Sequence, residues 1–177
     1  MGIQIKKIGI THCRVDAIVN AANEQLAEGG GVCGAIFREA GSRELTKACD
    51  AIGGCPTGGA VITPGFKLPA EFIVHAVGPV WHGGTRGERE LLYSAYKQSL
   101  LRAKEKGCKS IAFPLISAGI FGYPKEDAWR VAIQACRDFL KENDIEITFA
   151  VLDDEIKALG ERILVAGSLR QGERSES

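Results

Sequence analysis

Net charge is the first thing this chain lacks: 22 Lys and Arg residues balance 22 Asp and Glu residues over 177 positions. Such a chain has no global field to draw in nucleic acid or an anionic membrane, so any anionic ligand must be held by local chemistry. Long apolar runs are missing as well. No stretch approaches the roughly 18 apolar residues of a membrane span, and the segment MGIQIKKIGI has no signal-peptide core. The six cysteines (Cys13, Cys33, Cys49, Cys55, Cys108 and Cys136) contain no C-x-x-C pair and no dense secreted-type framework. Reduced thiols in a cytoplasmic protein are the expectation. The pattern G-x-x-x-x-G-K-[ST] is absent, which removes support for a triphosphate loop, and a Rossmann dinucleotide site is set aside. Internal repeats, linkers and a second domain are also not seen.

What is present fits one α/β domain. With 45% hydrophobic residues in 177, the chain can build a substantial core but not two ordinary domains. Ile3, Ile5 and Ile8 alternate with polar neighbours over 3–10, and Ala17 to Val19 make a second apolar run, so two strands are expected. From Val32 to Ile52, the residues Ile36, Phe37, Ala40, Leu45 and Ala48 fall at helical spacing, with a break at Gly41 and Ser42. Residues 60–63 and 71–77 read as strands. An amphipathic helix over Glu88 to Lys106 is stopped by Gly107, and a strand from Ile111 to Ile116 follows. A helix over 125–142, a buried-type strand over 145–153 and a helix from Asp154 to Ala166 complete the pattern. Residues 169–177 are polar and expected to form a disordered tail. Strands alternating with helices predict a three-layer α/β/α sandwich.

Two of these strands end in glycine-rich loops, and ligands of open α/β sheets settle beyond the carboxyl ends of strands, where helix amino termini present unpaired N–H groups. The first loop, Asn20 to Phe37, holds the consecutive Gly29, Gly30 and Gly31 ahead of a helix. Its backbone can approach a ligand without Cβ obstruction, while Asn20 and Asn23 offer amides suited to ribose hydroxyls. In the second, Pro114 to Pro124, Ser117, Gly119 and Gly122 punctuate a turn whose amides suit a diphosphate, with Phe121 placed to cover a sugar or base. Either loop alone is explained by ordinary turn chemistry.

Taken together, five strings carry a specific likeness: VDAIVNAAN (Val15–Asn23), GGGV-x-GAI (Gly29–Ile36), CPTG (Cys55–Gly58), VHAVGPVW (Val74–Trp81) and FP-x-IS-x-G-x-x-GYP (Phe113–Pro124). In this order and spacing they resemble the macrodomain family, in its MacroD-type branch that includes bacterial O-acetyl-ADP-ribose deacetylases, over about residues 5–165. The resemblance implies a single domain over 1–168 with a mixed central sheet and an ADP-ribose cleft along its crest. Gly29, Gly30, Gly31 and Val32, with Ser117, Ala118, Gly119, Ile120 and Phe121, would supply diphosphate contacts. Asn23 would bond the distal ribose, with Phe121 beside it. It implies no cofactor, only ADP-ribose as ligand or substrate, and as partners O-acetyl-ADP-ribose or ADP-ribosylated proteins; that no metal is expected rests on residue spacing instead.

Two departures from the family pattern bear on chemistry. The branch usually opens with G-D-I-T, whose Asp meets the adenine amino group; here the stretch is Ile8, Gly9, Ile10 and Thr11. Adenine recognition must then lean on Ile10 and neighbouring backbone. Hydrolytic members read GVDGAIH after the glycines, where this chain reads Gly31 to Phe37 with Cys33 in place of the acid. A thiol near a helix amino terminus can serve as base or nucleophile, but a small apolar filler is the simpler reading. A water activated by the ligand's own phosphate and oriented by Asn23 needs no acid there. Two functions therefore stand: hydrolysis, slightly preferred with Asn23 and Cys33 as candidate catalytic residues, and a non-catalytic ADP-ribose reader. RNA binding gains nothing from the charge balance. His75 reads as a core histidine bonded to backbone, Asp153 to Glu155 as a helix cap, and Cys33, Cys49, Cys55 and His75 lack the close spacing of zinc ligands.

Overall fold

A computed structural model describes the backbone of residues 2–176 and the side chains of residues 2–167. Six strands, β1 (Ile3–Lys7), β2 (Ala17–Ala21), β3 (Ala60–Pro64), β4 (Phe72–Ala76), β5 (Ser110–Phe113) and β6 (Glu146–Val151), form one sheet in the order β1-β6-β5-β2-β4-β3. Every neighbouring pair is parallel except the edge strand β3, which runs antiparallel to β4. The sheet is therefore mixed. Five helices cover it: α1 (Gly31–Ala40), α2 (Ser42–Ile52), α3 (Glu88–Glu105), α4 (Lys125–Leu140) and α5 (Asp154–Glu176).

Strand alternation sorts the core into two layers. Ala17, Val19, Val74, Ala76, Ile111, Phe113, Ile147 and Phe149 pack under α3 and α4, joined by Ile156, Leu159, Ile163 and Leu164 of α5. Ile18, Ile73 and Ala112 face the other way, onto Ile36, Phe37 and Ala40 of α1 and Leu45 and Cys49 of α2. With both faces covered, the inner strands read as near-continuous apolar runs. Rings anchor the thicker layer: Tyr96 to Phe113 at 5.1 Å, Phe113 to Phe149 at 5.6 Å and Trp129 to Phe149 at 5.1 Å between centroids. Each such pair adds about 0.5–1.5 kcal/mol beyond its area burial. No described helix is long and apolar enough to cross a membrane.

Several boundaries differ from the sequence expectation for identifiable reasons. The strand expected over 111–116 stops at Phe113 because Pro114 has no N–H to continue a ladder. The first strand ends at Lys7 rather than residue 10, and Ile10–His12 form a single 3-10 turn that tucks Ile10 under α1. Gly41, at φ 109°, divides the helical stretch into α1 and α2. Helical backbone of α5 continues past Ala166 to Glu176. Where a disordered tail is expected over 169–177, the described backbone is thus helical as far as Glu176, while the side chains of 168–177 lie outside the described residues.

Candidate functional site

The strand order creates the site. β2 and β5 lie side by side and parallel, with Ala17 opposite Ile111 and Ile18 opposite Ala112. Their carboxyl ends therefore emerge together at one edge. The chain leaving β2 turns to α1 on one face, while the chain leaving β5 turns to α4 on the other. Two loops that diverge from adjacent parallel strands leave a crevice between them, the place where open α/β sheets bind ligands.

The first loop is held in shape by Asn23. Its Oδ1 accepts the Ala27 N–H at 2.9 Å and its Nδ2 donates to the Ala27 carbonyl at 3.0 Å, closing residues 23–27 into a tight loop. One amide hydrogen and one oxygen lone pair of Asn23 are left over. The Cys33 thiol, 8% exposed, points at the same Ala27 carbonyl at 3.8 Å. Beyond this brace the backbone is unpaired. Gly34 is the first donor of α1, reaching the Gly30 carbonyl at 3.2 Å, and no side chain caps the helix. The amides of Gly29, Gly30, Gly31, Val32 and Cys33 donate to no protein acceptor among the described residues. A helix amino terminus with free amides is an anion site by geometry and by dipole.

The second loop has the same property. Ala118 N–H goes to Leu115 O at 3.4 Å, Gly122 to Gly119 O at 3.0 Å and Tyr123 to Ser117 O at 2.9 Å. Those bonds fold the turn and leave the amides of Ser117, Gly119, Ile120 and Phe121 without a protein acceptor. Ser117 sits at φ 67°, a left-handed conformation unusual for a residue with a side chain. Its base is fixed by Tyr96, whose hydroxyl accepts the Ile116 N–H at 2.9 Å and donates to Pro114 O at 3.3 Å. The loop after β4 closes in from the side, where a Cβ at Gly78 would overlap Ser117 Oγ and Ile116 Cγ2.

With two amide sets at one sheet edge, the comparison with known proteins is decisive. The Macro domain signature matches residues 19–132. The chain belongs to the macro domain family. It is 52% identical over 163 residues to a macro domain-containing protein of Chlorobaculum tepidum, spanning 91% of this chain and 94% of that one. A Klebsiella pneumoniae protein named O-acetyl-ADP-ribose deacetylase is 48% identical over 163 residues, 89% of this chain and 93% of that one. Among solved structures, the Oceanobacillus iheyensis macrodomain with ADP superposes at a TM-score of 0.89 with 38% identity, covering 94% of this chain and 91% of that one. The Trypanosoma brucei macrodomain in complex with ADP-ribose superposes at 0.84 with 36% identity, over 90% and 68% of the two chains.

Within this macrodomain the residues named from sequence separate into two groups. Asn23, Gly29, Gly30, Gly31, Val32 and Cys33 follow β2 and the turn from Ser117 to Phe121 follows β5, so both stretches lie at the carboxyl edge of the sheet, the crest. Asn20 does not: it is 1% exposed, because β2 alternation points it to the α2 side, where its Nδ2 lies 3.1 Å from His75 Nδ1. Ile10 is also buried, so only its backbone can meet a ligand. His75 is bonded by side chains rather than backbone, with Thr63 Oγ1 at 3.0 Å from Nε2, and burial pushes its pKa down to about 4. Neutral at pH 7, it is core structure. Asp153 caps α5 through a 3.0 Å bond from Ile156 N–H to its Oδ1, as the sequence indicates.

Sequence reasoning missed three features. Val80 and Leu152, not named from sequence, follow β4 and β6 at the same edge as the already named Val32 and Ile120 (95% exposed), so four of the seven exposed large hydrophobics of the described residues lie there. Such apolar surface suits the faces of a base or sugar. Gly29, Gly31 and Gly34 also stand at G-x-G-x-x-G spacing; the last brings α1 close, since a Cβ at Gly34 would lie 2.6 Å from Gly29 O. The strand order still differs from the 3-2-1-4-5-6 Rossmann arrangement. Finally, Glu88 at the start of α3 is 1% exposed. Burial alone would raise its pKa, yet amide bonds from His82, Gly84, Arg86 and Glu88 itself hold it at about 2.

Proposed function

We propose that this macrodomain binds ADP-ribose along the crest and hydrolyses O-acetyl-ADP-ribose or ADP-ribosyl groups on proteins. The observation that carries the reading is the pair of unpaired amide sets, Gly29 to Cys33 and Gly119 to Phe121, on loops from adjacent parallel strands. A diphosphate between them is neutralised by backbone donors and the α1 amino terminus, which accounts for anion binding by a chain of zero net charge. The spare hydrogen and lone pair of Asn23 serve the distal ribose and an attacking water. For O-acetyl-ADP-ribose, the water oxygen adds to the acetyl carbonyl and its proton passes to a ligand phosphate oxygen. The bond from acyl carbon to ribose oxygen then breaks as that oxygen takes the proton back from the phosphate, giving the ribose hydroxyl of ADP-ribose and acetic acid, which ionises to acetate.

The second reading is an ADP-ribose reader without turnover. One observation favours it: the third residue of α1 carries the Cys33 thiol, which is turned to the Ala27 carbonyl as a brace. Calorimetry with ADP-ribose tests binding, and absence of both heat and thermal shift at millimolar ligand refutes both readings. Acetate release from O-acetyl-ADP-ribose and loss of label from an ADP-ribosylated protein separate them. Turnover lost in Asn23→Ala and kept in Cys33→Ala supports the oriented-water route. Loss in Cys33→Ala assigns the chemistry to the thiol, and binding without turnover in the wild type establishes the reader.

A further inference from the structure

Glu88 is an ionised carboxylate enclosed by backbone. Its Oε2 accepts the N–H groups of His82 at 2.9 Å and Gly84 at 2.8 Å, and its Oε1 accepts that of Arg86 at 2.6 Å. The segment 82–87 is thereby wrapped around one side chain. Gly84 lies against the indole of Trp81, close enough that a Cβ would come within 2.9 Å of the ring. Trp81 in turn touches the second crest loop twice. Its backbone N–H donates to the Phe121 carbonyl at 2.8 Å, and its ring packs on Tyr123 with centroids 4.7 Å apart and planes at 57°.

We propose that Glu88 is a positioning residue for the anion-binding turn: by fixing the 82–87 loop it presses Trp81 onto Phe121 and Tyr123, and so sets the aim of the Gly119, Ile120 and Phe121 amides. A carboxylate is required because three N–H groups converge on two oxygens. In Glu88→Gln, either orientation of the new amide puts an NH₂ donor against backbone donors. Part of the loop must then open. The ligand readout rests on the ADP-ribose reading above, whereas the loop geometry does not.

The test combines calorimetry with ADP-ribose and amide hydrogen exchange of the unliganded protein, in the wild type, Glu88→Gln, Tyr123→Ala, Asn23→Ala and the Glu88→Gln double variants with each. Glu88→Gln is expected to weaken ADP-ribose at least tenfold, the loss of about one hydrogen bond to a charged group. It is also expected to speed exchange at Trp81, Gly122 and Tyr123 while leaving Ile147 and Phe149 of the central sheet protected. The cycle with Tyr123→Ala, which severs the same link at its far end, should be non-additive, and the cycle with Asn23→Ala additive. Wild-type affinity in folded Glu88→Gln, or unchanged exchange at those three amides, overturns the proposal. If Glu88→Gln does not fold, Tyr123→Ala decides: unchanged affinity and unchanged exchange at Trp81 overturn it. Should the wild type give neither heat nor thermal shift with ADP-ribose, the ligand reading fails and the exchange data alone decide the role of Glu88.

Discussion

Replacing Gly34 with alanine separates two effects that normally travel together. Alanine is favoured over glycine inside a helix by about 1 kcal/mol, so propensity alone would make α1 more stable. The Cβ, however, would stand 2.6 Å from Gly29 O, against 3.4 Å for ordinary contact, and 3.0 Å from Arg38 Nη1. The guanidinium tip can swing away, but the Gly29 carbonyl belongs to the loop that carries the free amides. Relief requires that peptide to move by about 0.8 Å, the difference between those two distances. A displacement of that size stretches an amide-to-phosphate bond from roughly 2.9 to roughly 3.7 Å, past useful range. Losing one hydrogen bond to a charged group costs about 1.5–3 kcal/mol, a ten- to hundredfold loss of affinity. Calorimetry of ADP-ribose with wild type and Gly34→Ala, alongside thermal unfolding of each, reads both quantities. Affinity within twofold of wild type would mean that the Gly29 loop is not the phosphate cradle, or that it bends freely, and the site assignment would have to be withdrawn.

Protonation of His75 gives a pH signature of the core. Its folded pKa, about 4, lies below the ordinary histidine value of 6.5, so the unfolded chain takes up the proton first as pH falls and stability drops between about 6.5 and 4. The full shift corresponds to about 3 kcal/mol, and denaturant titrations at pH 7 and pH 4.5 should show most of it in the wild type and little in His75→Gln; an equal slope in both refutes the assignment. Gly160→Ala is the control far from the crest. Its Cβ would come within 2.6 Å of the buried Trp129 ring and 2.8 Å of Ile5 Cδ1, so overpacking should cost about 1–3 kcal/mol in unfolding experiments with ADP-ribose affinity unchanged.

The layer architecture was legible because both faces of the sheet are covered and each strand is followed by a clear helical period. Boundaries were less so, since apolar residues such as Ile8 and Ile116 continue the pattern after the backbone has turned. The crest loops were legible through glycine, which marks where amides can be exposed, and Asn23 through its place between strand and glycines. Asn20 was misread because one residue of parity along β2 separates a cleft amide from a core amide, and parity is fixed only by pairing with β4. Glu88 was invisible for a different reason. An acidic residue in the first turn of a helix reads as a solvent-exposed partner of the dipole, and only the folded 82–87 loop reveals that three amides close over it.

Free amides make a strong anion site only if they are already aimed when the ligand arrives, because ordering a glycine loop on binding subtracts from affinity. Glycine supplies the access and, taken alone, the wrong dynamics. This macrodomain answers that conflict with supports behind each loop. Behind the first stand the two bonds between Asn23 and Ala27, the Cys33 thiol on the same carbonyl, and the close approach of Gly34. Behind the second stand the Tyr96 hydroxyl, Gly78 against Ser117, and the chain from Glu88 through Trp81. On that account Cys33 has a role whether or not turnover occurs. Cys33→Asp would set a carboxylate against the Ala27 carbonyl, so the acid must swing out toward the crevice, gaining a group at the reacting end while loosening the brace. Weaker ADP-ribose binding together with faster hydrolysis is the expected outcome, and tighter binding would show that the thiol does not brace the loop at all.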